Sequence, residues 1–437
     1  MREAYFAEIP EIMYNCFEKY QMYVAIPYFL NGKDAIFRYQ MHLLVMKKGY
    51  CFLFLLVVSA VVRSCIYDFN PQVEGEGGYM IVDGDIVIGE ISKIRLSYSW
   101  SLVDTSATQD EERMRILYQS KMHVEDSQGG RYNNLSQGGR SAIGYFDMRD
   151  ADPSLEYRLV IENANGTYVS YWGQAISPGY IDSLSFRINS KNDVLGILVS
   201  AHSSDPTPSY YRWTVEETWE YHAQVRAYYK YLYTGGPDGE VVPMPDSEST
   251  YRCWLSDSRP EIMTASSENL KEDRLVNHEI YTIGNLDQRI SVCYQPEVTQ
   301  MRISEEAYRY WEQMERNGRD VGGLYSPEPT EMRGNVSNVN DPYELVLGYV
   351  DVVRVTHATF YVKNILFYKW PERETGLGVI LNNGDSYLEA YRYWRLPVTD
   401  VWHEQTGSWI GYEWWPYDCV DCRLQGGTTK RPPEWPI

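Results

Sequence analysis

Apolar residues recur at every second position along much of the chain, and this alternation predicts β-strands. It is clearest in residues 211–222, where one face carries Tyr211, Trp213, Val215, Trp219 and Tyr221. The opposite face carries Arg212, Thr214, Glu216, Thr218, Glu220 and His222. The pattern predicts an antiparallel strand with one wet face. Glu217 interrupts the apolar series, and we interpret it as a bulge or rim position rather than as a buried carboxylate.

Residues 79–182 show shorter runs of the same alternation, separated by turn residues. Asn165 and Gly166 form a dipeptide that favours a tight hairpin turn, with alternating residues on both sides. Roughly seven such strands within about 100 residues are typical of an immunoglobulin-like or transthyretin-like sandwich. We therefore predict an N-terminal sandwich over 79–182 and a larger antiparallel β domain over 183–437.

One segment has helical periodicity, from about 304 to 316. Ser304 is a good N-cap, and Glu305 and Glu306 stand where the helix dipole favours negative charge. The fold class predicted is mainly β, with this single prominent helix in the C-terminal domain. The proline-rich end of the chain, PPEWPI, is predicted to stay outside any sheet interior.

The segment 46–64 has the pattern of a secretory signal peptide. Lys47 and Lys48 precede an apolar run from Tyr50 to Val62, which is short for a membrane span. Cys65 follows, and its placement resembles the lipobox of bacterial lipoproteins, in which this thiol is diacylated and anchors the protein. Arg63 departs from the small residue usual there. An ordinary cleaved signal peptide and an N-terminal transmembrane helix are the alternatives.

The residues around this segment complete the expected N-terminal organisation. Residues 1–45 contain several acidic side chains ahead of the basic region, which is foreign to a leader. We interpret 1–45 as an over-extended start without function, with translation beginning at Met46; a genuine additional helical segment is the alternative. Residues 65–78 are polar and rich in Gly and Glu, and they are predicted to be a tether.

Charge argues against nucleic acid as a partner. The formal net charge is −20 for 437 residues, and no basic cluster with interleaved aromatic residues occurs. Such a surface repels a phosphate backbone. The 39 Tyr and 13 Trp raise the aromatic content to 14%, which favours strands and amphipathic surfaces.

Four cysteines remain after Cys16, Cys51 and Cys65 are assigned to the leader and anchor: Cys253, Cys293, Cys419 and Cys422. An even number in an oxidising compartment predicts structural disulfides among them, with three pairings possible. The CxxC spacing of Cys419 and Cys422 leaves a redox or zinc role as an alternative.

Motifs that specify a reaction are missing from the sequence, including the phosphate-binding loop, HExxH and GxSxG. The histidines are scattered singly, and we expect no metal and no cofactor. Carboxylates that a glycosidase would need are Glu216, Glu217, Glu220, Glu404 and Glu413, with solvated surface as the favoured interpretation. The oxygen-rich groups Asp147, Asp150 and Asp152, and Asn382, Asn383 and Asp385, are interpreted as ordinary turns rather than calcium sites.

Several short segments recur in a fixed order that is specific to one family. They include Cys253-Trp254, the stretch 306–329, Gly334-Asn335-Val336, and the C-terminal CVDCRLQGGTTKRPPEW. In these the chain resembles Bacteroidota lipoproteins of the domain of unknown function 4249. The resemblance implies a sandwich followed by a larger β domain, outer-membrane lipidation, and genes beside TonB-dependent receptors. It supplies no catalytic residues.

The expected function is an accessory or ligand-capture role beside a TonB-dependent outer-membrane transporter, without catalysis. The expected contact surface is aromatic, formed by Trp213, Trp219, Trp402, Trp409, Trp414 and Trp415, although core packing is the alternative for each of them. A surface hydrolase of glycan or peptide and a structural or adhesive module are the competing hypotheses.

Overall fold

The computed structural model describes most of the chain from Gly78 onwards. The described residues are 78–99, 107–136, 142–189, 191, 193–204, 208–235, 239–319, 333–363, 368, 377–382, 386–433 and 435–436. The predictions for 1–45, 46–64 and Cys65, and for all but the last residue of the tether 65–78, lie outside this part of the chain. No helix among the described residues is long and apolar enough to cross a membrane.

Strands dominate the described residues, as the sequence predicted. In chain order they are β1 (Met80–Asp83), β2 (Ile86–Val87), β3 (Ile91–Tyr98), β4 (Lys121–Asp126), β5 (Arg131–Asn133), β6 (Ile143–Asp147), β7 (Glu156–Asn163), β8 (Gly166–Ser170), β9 (Gly173–Gln174), β10 (Tyr180–Asn189), β11 (Val194–His202), β12 (Tyr210–His222), β13 (Tyr229–Leu232), β14 (Glu240–Pro243), β15 (Arg252–Ser258), β16 (Met263–Ser266), β17 (Arg274–Gly284), β18 (Cys293–Ile303), β19 (Val336–Asn338), β20 (Val346–Leu347), β21 (Val352–Val353), β22 (Val355–Thr359), β23 (Val362–Lys363), β24 (Val379–Asn382), β25 (Arg395–Trp402) and β26 (Trp409–Pro416).

Two sheets form the first sandwich. One has the order β20-β1-β3-β6, and the other has the order β19-β8-β7-β4-β5 with β9 beside β7. Side chains from both sheets, among them Ile94, Phe146, Leu159 and Ile161, share one core from which water is excluded. The predicted turn at Asn165 and Gly166 joins β7 to β8 as a hairpin, in which Gly166 has a φ of 147°.

A late segment of the chain completes this sandwich. Strand β19 pairs with β8 at the edge of one sheet, and β20 pairs with β1 at the edge of the other. Strand β21 pairs in parallel with β2. Val336, Val346 and Val352 are buried in its core. The first sandwich therefore comprises residues 79–174 together with 336–353, because the chain returns to it after building most of the second.

The second sandwich packs a long sheet, β15-β12-β18-β22, against the three-stranded sheet β10-β11-β17. β12 pairs with β18 in unbroken antiparallel register from Tyr210 to Glu220. Its apolar face, with Tyr211, Trp213 and Tyr221 almost fully buried, enters the core as predicted. The same register passes through Glu217 without a shift, so the predicted bulge there is wrong.

A smaller module is formed by the sheet β24-β26-β25 near the C-terminus together with the hairpin β13-β14, which comes from the segment between β12 and β15. Two short helices accompany it, α3 (Tyr387–Arg392) and α4 (Tyr417–Val420). The tail closes back on the second sandwich, where Trp435 is 3% exposed beside Trp254 and Cys293. The tail lies against the sheet rather than within it.

The predicted helix is present as α2 (Glu305–Arg319), and Ser304 caps it by accepting a hydrogen bond from the Ala307 amide at 3.1 Å. A helix that the sequence analysis missed, α1 (Ala107–Tyr118), precedes β4. Leu117 is its buried residue within 111–118, so its apolar pattern was too weak to predict it.

Candidate functional site

The candidate carboxylate Glu217 lies at the centre of a buried network. It is 1% exposed, and Arg259 donates to its Oε1 at 2.7 Å. The Tyr294 hydroxyl also donates to Oε1, and the Arg289 Nε lies 3.2 Å from Oε2. Tyr281 shares a hydrogen bond of 2.7 Å with Tyr294. Glu217 is therefore a buried carboxylate, and its desolvation is offset by Arg259, which follows β15, and by Arg289, which lies in a short 3-10 turn before β18.

The environment of this network shifts the pKa of three of its members, Tyr281, Tyr294 and Arg259. Burial raises the pKa of both Tyr281 and Tyr294, so that both phenols stay protonated and act as donors. Burial lowers the pKa of Arg259, but the bonds to Glu217 and Glu261 outweigh it and the net shift is upward. These groups are locked in one charge state across the physiological range, which suits a structural role.

The other candidate carboxylates have separate surroundings. Glu216 accepts from the Ser258 hydroxyl at 2.7 Å, on the opposite face of β12 from Glu217. Glu220 accepts from the Trp435 indole at 2.9 Å. Burial raises the pKa of Glu220, but hydrogen bonds from His222 and Trp435 reverse this and lower it. Glu404 is exposed beyond β25, and Glu413 lies on β26.

Three of the six candidate tryptophans do not form a contact surface. Trp213, Trp219 and Trp414 are 1%, 6% and 0% exposed, so the prediction of a contact surface is wrong for them. Trp213 also donates to the Gln300 side chain at 3.0 Å inside the core. Trp213 and Trp219 belong to the alternating apolar face of 211–222, which is the face that packs into the core. Trp402 is 54% exposed, and Trp409 and Trp415 are half-buried.

Three exposed aromatic residues lie close together in the sequence, at positions that were not among the candidate tryptophans. Tyr391, Tyr393 and Trp394 are 45%, 72% and 74% exposed, at the end of α3 and the start of β25; we call these three residues the aromatic patch. Trp394 has a φ of 56°, at a helix C-terminus where glycine is the usual residue. Its backbone is held there by bonds to Tyr391 and Tyr417.

Among the four cysteines that the structure describes there is one disulfide, between Cys253 and Cys422, which lie 169 residues apart. Cys293 and Cys419 keep their thiols and are buried in different clusters, so the prediction of a second disulfide is wrong for them. Because Cys422 is bonded to Cys253, the CxxC spacing does not make a redox pair. Burial raises the pKa of Cys293 to about 11, which makes its thiol unreactive at neutral pH.

The oxygen-rich turns take local partners. The Nε of Arg149 donates to the Oδ1 of Asp147 at 2.8 Å, and the backbone amide of Ser154 donates to the Oδ1 of Asp152 at 2.9 Å. Asn383 and Asp385 lie outside the described residues. Within the part of the chain that the structure describes, no group of three or more potential ligands is arranged to hold a metal ion.

Charged side chains join the two sandwiches along a seam. Arg212 of β12 forms an ion pair with Asp85 of the first sandwich, and the Trp311 ring lies 4.6 Å from its guanidinium. Asp351 donates its amide to Asp85 at 3.3 Å. Burial, together with the charge of Asp85, raises the pKa of Asp351 to about 7. His357 bonds Glu90 at 2.8 Å further along the seam.

Cavities flank these ion pairs. Two adjoining cavities of about 510 and 400 Å³ share Asp83, Arg95, Ser258 and Arg259 in their walls. Another of about 380 Å³ shares no lining residue with them and is bounded by Trp172, Asp351 and the start of α2. Open space of this size, lined by charged groups and aromatic rings, suits the binding of a small polar ligand.

Taken together, these features define a mainly β, disulfide-bonded protein in which two sandwiches meet at a charged seam. The chain belongs to the family described as domain of unknown function (DUF4249), whose model matches residues 66–359. This confirms the family resemblance. No curated protein matches the chain. The matched range includes both sandwiches and ends before the aromatic patch.

Proposed function

We propose that the protein is a lipid-anchored envelope protein that docks on a TonB-dependent outer-membrane transporter and assists ligand capture. Acylation of Cys65 would hold it at the outer membrane, and the polar segment 65–78 would let the folded part reach a neighbour in the same membrane. The signal-like segment 46–64 supports this location.

The aromatic patch is the observation that carries the proposal. Tyr393 and Trp394 are consecutive in sequence and are 72% and 74% exposed, and a group of exposed apolar side chains is typical of an interaction site. Tyr and Trp are the residues enriched at the energetic centres of protein interfaces. Trp394 also keeps a left-handed backbone that glycine would adopt more easily, which favours a role for its side chain.

The surroundings of the candidate carboxylates favour binding over catalysis. Glu217 and Glu220 are occupied by cations and hydrogen-bond donors within the fold. A hydrolase requires two such groups facing a common substrate position. The bonds from Arg259, Arg252 and Trp435 instead connect β12 to the β15 region and to the C-terminal tail, and so these carboxylates stabilise the fold.

Affinity purification from detergent-solubilised membranes tests the proposal. The bait is the full chain, either wild type or carrying Tyr393→Ala and Trp394→Ala together. Tyr343→Ala is the matched control, because Tyr343 is 87% exposed on the first sandwich, away from the patch.

We expect wild type and the Tyr343 variant to recover a TonB-dependent receptor, and the double variant to recover at least tenfold less. The wild-type bait should begin at an acylated Cys65. If all three baits recover the same receptor equally well, the aromatic patch is not the docking surface. A wild-type bait that is unlipidated and comes down alone would contradict the function itself.

A further inference from the structure

A threonine, a histidine and a glutamate are joined by hydrogen bonds at the seam between the sandwiches. Thr299 of β18 stands directly opposite His357 of β22, and its Oγ1 lies 2.9 Å from the Nδ1 of the histidine. The other ring nitrogen, Nε2, lies 2.8 Å from the Oε1 of Glu90 in the first sandwich. The three side chains therefore form a continuous series from a hydroxyl through an imidazole to a carboxylate.

These contacts determine which ring nitrogen carries the proton in the neutral imidazole. A carboxylate can only accept, so the Nε2 of His357 carries the proton and donates to Glu90. The Nδ1 is then the acceptor, and the Thr299 hydroxyl donates to it. A hydroxyl that donates to a histidine, which a carboxylate orients in turn, is the arrangement that activates the nucleophile of acyl-transfer enzymes.

The three residues are held in place and remain accessible. Strand pairing fixes the register of Thr299 and His357, and the Glu90 carbonyl accepts from the Met148 amide at 2.9 Å. The side chains of His357 and Glu90 are 40% and 45% exposed, and Thr299 is half-buried. A substrate and water can therefore both reach the hydroxyl and the ring.

All three residues line the cavity of about 400 Å³. The exposed cations Lys93 and Arg95 of β3 line it too, and they suit the negative charge that develops on a carbonyl oxygen during acyl transfer. Asp83 and Glu216 also lie in the wall, so the cavity is of mixed charge and favours a neutral substrate. Its volume is near the lower end of the range for small-ligand sites, which favours a short acyl group.

We propose that Thr299, His357 and Glu90 hydrolyse a neutral carboxylic ester with a short acyl group. The Oγ1 of Thr299 attacks the carbonyl carbon, its proton passes to the Nδ1 of His357, and the imidazolium then protonates the departing alkoxide. Water attacks the resulting acyl-threonine and gives a proton to the same Nδ1, from which Thr299 recovers it as the acid leaves. Thr299 and His357 are the catalytic residues, and Glu90 is a positioning residue. This activity goes beyond the proposed docking and does not depend on a transporter.

Hydrolysis of p-nitrophenyl acetate and p-nitrophenyl butyrate by the full chain tests the proposal. The variants are Thr299→Val, Thr299→Ser, His357→Gln and Glu90→Gln. The matched control is Thr214→Val, because Thr214 is the neighbour of Thr299 on β12 and lines the same cavity. Peptide mapping by mass spectrometry after a brief reaction locates the acyl group, and thermal melts check that each variant is folded.

We expect wild type and Thr214→Val to hydrolyse at least one ester and to carry its acyl group on Thr299. Turnover should fall at least about 100-fold in Thr299→Val and in His357→Gln, and Thr299→Ser should retain it. Glu90→Gln should lower kcat and leave KM nearly unchanged, because Glu90 acts through the ring. The absence of turnover by wild type would overturn the proposal. Turnover that Thr299→Val retains, or an acyl group found only on another residue, would overturn it as well.

Discussion

The backbone amide of Asp351 donates a hydrogen bond to the Asp85 carboxylate at 3.3 Å, which brings two carboxyl groups together at the seam between the sandwiches. Arg212 balances one of them through its ion pair with Asp85. The second carboxyl is buried beside that pair, and its pKa is raised to about 7. The seam therefore contains a group whose charge changes near neutral pH.

Stability should depend on pH through Asp351. Its pKa is higher in the folded protein than in the unfolded chain, so the folded state binds the extra proton between about pH 4 and pH 7. The stabilisation is complete below pH 4 and is lost as pH rises to 7, by at most about 4 kcal/mol. Asp351→Asn should remove this slope and be more stable than wild type at pH 8. Urea unfolding at pH 5, 6, 7 and 8 measures both, and equal slopes would contradict the assignment.

Loss of Glu217 should destabilise the fold strongly. Glu217→Ala leaves Arg259, whose side chain is 7% exposed, without one of its two carboxylate partners. Breaking a buried pair in this way costs about 3–5 kcal/mol. Glu216→Ala is the matched control on the exposed face of β12, and it should cost less than about 1 kcal/mol. Chemical denaturation compares the two variants, and similar losses would refute a structural role for the network.

The Cys253–Cys422 disulfide should stabilise the protein by closing a long loop. Cys253→Ala with Cys422→Ala should lower the free energy of unfolding by about 2–5 kcal/mol. Cys293→Ala leaves the crosslink intact and serves as the control. Calorimetry measures the stability, and peptide mapping without reductant identifies the bond. A peptide that links Cys419 to Cys422 would contradict the structure.

Local pattern was sufficient to predict much of the fold. The alternation in 211–222 predicted β12 because one face of the strand is buried along its whole length. The Asn165-Gly166 pair predicted a hairpin because its turn geometry is local. The sequence did not predict α1 because residues 111–118 have no apolar stripe at helical spacing. Within this range only Leu117 is buried.

Long-range contacts decided the rest. Arg259 and Tyr294, two of the partners of Glu217, are 42 and 77 residues away, so no local pattern distinguishes a bulge from a buried carboxylate. The cysteine pairing spans 169 residues and was open among three choices. The first sandwich takes its last strands from 336–353, which a boundary drawn along the sequence cannot show.

Photo-crosslinking at the aromatic patch tests whether these residues contact a TonB-dependent receptor. A benzoylphenylalanine replaces Trp394 in the full-length protein in its native membrane, and the same group at Tyr343 provides the control. We expect mass spectrometry to find peptides of a TonB-dependent receptor linked at position 394 and not at 343. If no receptor is linked at 394, or if it is linked equally at both positions, the patch does not dock on the receptor.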